Sequence, residues 1–74
     1  MMNRSVADLK PGESGTIKGF SDSIISLKLM EMGCLPGSVI KMNYTAPLGD
    51  PISYYVAGYN LTLRISEASS ILIE

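Results

Sequence analysis

The sequence contains no histidine and no tryptophan, and only one cysteine, Cys34. Without an imidazole the commonest general base near neutral pH is missing, so the plentiful serines have nothing to activate one as a nucleophile. No G-x-x-x-x-G-K-S/T run occurs, which removes the usual phosphate-cradling loop for nucleotides. A single thiol cannot form an internal disulfide, and this excludes a small secreted domain stapled by cystines. No apolar run approaches the ~20 residues that span a bilayer as a helix, and residues 1–10 lack the apolar stretch of a secretory leader. These absences predict a cytoplasmic domain that is neither an enzyme nor embedded in a membrane.

Charge of one sign is scarce as well. Six basic residues face seven acidic ones, for a net charge of −1. Arg4, Lys10, Lys18, Lys28, Lys41 and Arg64 are scattered singly, so no cluster exists to displace the counterions of a nucleic acid. A transition-metal site meets a similar shortage, because imidazole, carboxylate or thiolate ligands must gather at one point. Cys34, with Glu31 three residues before it, supplies at most two. Cys34 reads instead as a small buried hydrophobe at a helix end. Neither a metal ligand nor a cofactor is expected.

What is present suits one hydrophobic core. The chain has 74 residues, 46% of them hydrophobic, which is ordinary for a globular domain and too rich for disorder. Ser5-Val6-Ala7-Asp8-Leu9 reads as a lead-in of one turn with Val6 and Leu9 inward, and Lys10-Pro11-Gly12-Glu13 as a tight turn. Residues 14–20 form a first strand, with Gly15 and Gly19 marking bends or close backbone packing. Ser21-Asp22-Ser23 offers N-cap chemistry before a helix over 24–32. Ile25, Leu29 and Met32 follow i, i+4, i+7 spacing toward the core, whereas Lys28 and Glu31 share the surface. Gly33 is the left-handed stop, followed by a Pro36-Gly37 turn.

Everything downstream alternates with the period of strands. Ile40 and Met42 face inward on residues 38–45. Tyr44 follows them inward if the alternation holds, or turns outward if the strand bulges. After the turn at 46–51, Ile52, Tyr54 and Val56 point in and Tyr55 points out. Leu61 and Leu63 follow Gly58. Ser66-Glu67-Ala68-Ser69 makes a helical turn, and Ile71 and Ile73 end the chain as a short strand. The prediction is a single mostly β domain, a small SH3-like barrel of about five strands with one α-helix between the first and second.

Four stretches carry a family resemblance. Leu29-Met30-Glu31-Met32-Gly33-Cys34-Leu35-Pro36-Gly37 resembles the helix end and L-x-E-M-G-L-x-P-G turn of the ferrous iron transport protein A (FeoA) family. Ala46-Pro47-Leu48-Gly49-Asp50-Pro51-Ile52 matches that family's A-P-L-G-D-P-I connection residue for residue. Gly58-Tyr59-Asn60-Leu61-Thr62-Leu63-Arg64 is similar to its G-x-x-L-S-L-R strand, and Leu9-Lys10-Pro11-Gly12 to its opening L-x-P-G. The resemblance implies an SH3-like barrel and a cytosolic accessory role. It implies as partner the membrane ferrous iron permease, ferrous iron transport protein B, bound through its cytosolic G domain or membrane part and modulated in transport or nucleotide turnover. Similar barrels are fused to iron-dependent repressors, so a detached module that senses metal or binds a peptide is the alternative. Two positions depart from the pattern. Cys34 replaces a bulky aliphatic residue, and Lys28 stands where arginine is common, which weakens any bidentate contact.

The surface expected to meet a partner follows from these elements. Leu27 and Met30 lie off the inward stripe of the helix, beside Lys28 and Glu31. The loop Ala46, Pro47, Leu48, Gly49, Asp50 and Pro51 projects from a rigid barrel, where binding residues concentrate. Asp50 also has a plain structural reading, as an Asx cap of nearby backbone. Tyr55, with Val39, Ile65 and Leu72, falls out of phase with the core and adds exposed apolar surface. Weak self-association is a further open outcome of such a surface.

Overall fold

The computed structural model describes residues 4–74; the leader reading over residues 1–10 therefore lies partly outside the described residues. Strand β1 (Arg4–Ser5) leads into a 3-10 turn (Val6–Asp8). Strand β2 (Ser14–Phe20), helix α1 (Ser23–Glu31) and strand β3 (Val39–Thr45) follow. Strands β4 (Ile52–Val56) and β5 (Tyr59–Leu63) form a hairpin, and helix α2 (Ile65–Ala68) connects β5 to strand β6 (Ile71–Ile73). The six strands among the described residues run in the order β1-β6-β2-β3-β4-β5, with every neighbouring pair antiparallel.

β2 is the corner of this sheet. Its first residues, Ser14, Gly15 and Thr16, pair with β3, whereas Ile17, Gly19 and Phe20 pair with β6 across an irregular step. Gly15 lets the corner close, because a Cβ there would sit 3.0 Å from Ile73 Cδ1. The expected mostly β architecture is found, with one strand more than counted. Two residues, Arg4 and Ser5, are too few to show a period and become β1 only by pairing with Ile73 and Leu72 of β6. The helix accordingly lies between β2 and β3.

The alternation read from the sequence sets the core. Ile40, Met42, Ile52, Tyr54, Val56, Leu63, Ile71 and Ile73 are all buried, joined by Val6 and Leu9 from the lead-in. Tyr54 is wholly buried and donates its hydroxyl proton to the Val6 carbonyl at 2.8 Å, fixing the 3-10 turn to β4. That bond satisfies a polar group that would otherwise be costly to bury. A register shift between Met42 and Tyr44 decides the open question on β3, and Tyr44 points outward. No helix among the described residues is long and apolar enough to cross a membrane.

Candidate functional site

Helix α1 begins where Asp22 Oδ1 accepts the Ile24 N–H at 2.9 Å, satisfying a donor that the helix cannot. It stops at Gly33, whose φ of +103° only glycine adopts without strain. Tyr59 on β5 donates its hydroxyl proton to the Met32 carbonyl beside that stop, tying the helix end to the sheet. Of the helix only Leu29 is wholly buried; Ile25 and Met32 are partly buried against the core, as the stripe predicted. Leu27 (63% exposed), Lys28 and Glu31 face outward, and Met30 is half-buried. Lys28 does not pair with Glu31. Its ammonium meets Glu67 of α2 at 3.1 Å instead.

The loop between β3 and β4 is held at both feet. Ala46 N–H donates to the Pro51 carbonyl at 2.9 Å, and Gly49 N–H donates to Ala46 at 2.7 Å with Gly49 at φ +88°. Asp50 Oδ1 accepts the Ile65 N–H at 2.9 Å, so its capping is real but reaches a distant helix rather than adjacent backbone. Pro47 and Pro51 are exposed, Ala46 and Gly49 half-buried, and Leu48 stands almost wholly in solvent (96%).

Helix α2 therefore brackets the loop and α1. Ile65 receives the loop through Asp50, and Glu67 receives α1 through Lys28. Glu67 also accepts the Arg64 N–H at 2.9 Å. This backbone bond, with the cations of Lys28 and Arg64, holds its carboxyl below the usual range. Tyr55 stands apart, on the outer sheet face between Lys41 and Asn60 in the strand register. Sequence reasoning missed two contributors. Ile24 (88% exposed) begins the outward face of α1, and Glu67 couples the helices. The Arg64-Ile65-Ser66-Glu67 spacing, with a glutamate at the third helical position, was the available signal for the second.

Cys34 is wholly buried, its N–H bonded to the Leu29 carbonyl at 3.0 Å, and burial pushes its thiol up. Among the described residues no three His, Cys, Asp or Glu side chains stand together as a metal cluster would require. The arrangement offers an anchored loop tip and an apolar helix face, which is the chemistry of a contact surface.

Comparison with known proteins fits this description. An Fe(2+) transport protein A/Fe(2+) transporter FeoB fusion protein of Porphyromonas gingivalis is 38% identical over 47 residues, 64% of this chain and 6% of that protein. The chain thus spans a small part of that curated relative. A FeoA-like protein from Clostridium acetobutylicum superposes over 100% of this chain and 88% of its own, with TM-score 0.89 and 34% identity. The zinc complex of Stenotrophomonas maltophilia FeoA, a prokaryotic SH3 domain protein, covers 96% of this chain and 89% of its own, with TM-score 0.81 at 24% identity. That likeness identifies the barrel as SH3-like. The FeoA domain model matches residues 4–74, and the chain belongs to this family of non-catalytic accessory proteins associated with ferrous iron transport.

Proposed function

We propose that this domain acts from the cytoplasmic side, docking on the membrane ferrous iron permease and modulating its transport. The observation that carries the reading is the fusion of the two proteins in the Porphyromonas gingivalis relative. Domains joined in one polypeptide meet at high effective concentration, an arrangement that serves partners that act together. Leu48 and Leu27 supply the contacts. Both are exposed, and Leu48 is presented by a loop whose conformation is already fixed, so docking loses little conformational entropy. A surface this small falls at or below the ~800 Å² per partner of a standard interface, and the affinity is modest.

The test is binding to the permease's isolated G domain and to the whole permease in lipid nanodiscs. The parent protein binds one or both. Leu48→Asp and Leu27→Asp each weaken binding by about ten-fold to a hundred-fold, the value of burying one leucine side chain, while the thermal melt is unchanged. Absence of binding to either target overturns the proposal. So does stoichiometric capture of ferrous ion by one isolated subunit, which would favour the metal sensor.

A further inference from the structure

Strand β5 ends the sheet, and among the described residues it pairs with β4 and with no other strand. The two residues joining the hairpin, Ala57 and Gly58, both have positive φ (54° and 87°), the geometry of a primed turn. In such a hairpin the flanking residues, Val56 and Tyr59, form a hydrogen-bonded pair, and the bonding alternates from there. The main chains of Leu61 and Leu63 therefore face β4, and those of Asn60 and Thr62 face away. Among the described residues no main-chain partner meets Asn60 or Thr62 on that outer side, and both are exposed. The edge carries none of the usual protections. It has no proline, no lysine and no bulge against β4. Such a row of donors and acceptors fits one kind of ligand, an extended strand.

We infer that the strand it takes is the same edge of a second copy, antiparallel about a two-fold axis at Leu61. The register is self-complementary. Asn60 of one copy faces Thr62 of the other, and each gives its N–H and accepts on its C=O; symmetry repeats the pair. On the core side the half-buried Leu61 side chains meet across the axis. On the outer side the opposed residues are Asn60 and Thr62, polar and uncharged, so no like charges repel. Symmetry meets both donors and both acceptors with no sequence beyond this chain, which favours a second copy over a foreign strand. Two five-residue strands cover less than the ~800 Å² per partner of a standard interface. Pairing is accordingly weak and appears as concentration rises. This inference is independent of docking on the permease.

The experiment follows amide exchange by NMR, with sedimentation in parallel, on the full chain from micromolar to millimolar concentration. Exchange at Asn60 and Thr62 slows as dimer accumulates, about ten-fold when nine-tenths of the chains are paired. Thr62→Pro abolishes both effects and keeps the fold, because the N–H it removes bonds nothing in the monomer. Thr62→Lys, which leaves the backbone intact, weakens pairing in the same direction. A chain that stays monomeric at millimolar concentration overturns the inference. A dimer that survives both substitutions, or protection of these amides only when a foreign peptide or the permease is added, does the same.

Discussion

Asp50 sits in the loop proposed to meet a partner, yet its carboxylate is occupied by the Ile65 N–H at 2.9 Å. Replacing it with alanine strips the first turn of α2 of a side-chain acceptor and of a negative charge. Loss of such a cap costs about 1 kcal/mol, and loss of the favourable charge at the helix start adds a few tenths. A domain of this size shifts by about 4–8 °C in Tm per kcal/mol, so with about 1.3 kcal/mol lost in all Asp50→Ala melts lower by about 5–10 °C. Asp50→Asn keeps an acceptor oxygen at the same place and loses less than half of that. The assay pairs circular dichroism melts with affinity for the permease's G domain. If the charge itself were recognised, Asp50→Asn would show only that smaller fall in Tm and still lose binding. An Asp50→Ala melt within about 1 °C of the parent refutes the anchoring argument.

Two further outcomes follow from the helix stop and the buried phenol. Gly33→Ala is destabilised by about 2–3 kcal/mol, combining the left-handed φ with loss of the Tyr59–Met32 hydrogen bond. The new Cβ would lie 2.6 Å from the Tyr59 hydroxyl, and the half-exposed ring must swing away. Urea denaturation of Gly33→Ala, Tyr59→Phe and the double variant measures this, since only coupled effects make the double variant less than additive. Burial, aided by the charge of Asp8, pushes the Tyr54 phenol above its ordinary value, so the folded state keeps it protonated. The stability this supplies is fully present below pH ~10 and is lost as pH climbs above it. Tyr54→Phe blunts that alkaline loss while costing about 1 kcal/mol at neutral pH, because the Val6 carbonyl loses its short bond and keeps only the longer one from the Leu9 N–H at 3.3 Å; unfolding curves at neutral and alkaline pH check both signs.

Local chemistry and short periods were legible before the structure. Ile52, Tyr54 and Val56 alternate into the core as their spacing required, and Asp22 and Gly33 bound α1 as capping rules expect. Features that depend on closure of the barrel were not. The Asp50–Ile65 and Lys28–Glu67 contacts join residues 15 and 39 positions apart, and no local pattern encodes such distances. Tyr44 was undecided because one inserted residue reverses a strand's faces. Ile24 was overlooked because a helix apolar around most of its circumference does not announce which side meets solvent. The candidate loop was visible as a motif, but its rigidity was not, since that comes from α2.

Helix α1 leans on the barrel through one fully buried side chain, Leu29, with Ile25 half-buried beside it, through the exposed Lys28–Glu67 pair, and through ties at its far end. An element attached so lightly lets go of the sheet before the strands let go of one another. The buried Cys34 follows the helix directly, its N–H held by the Leu29 carbonyl at 3.0 Å. Motion of the helix therefore pulls on the segment that carries the thiol, and the rate at which a thiol reagent labels the native protein becomes a clock for that motion. Any protein that grips the helix from outside will slow or hasten the clock, and the chain's own cysteine then reports the encounter with no residue introduced for the purpose.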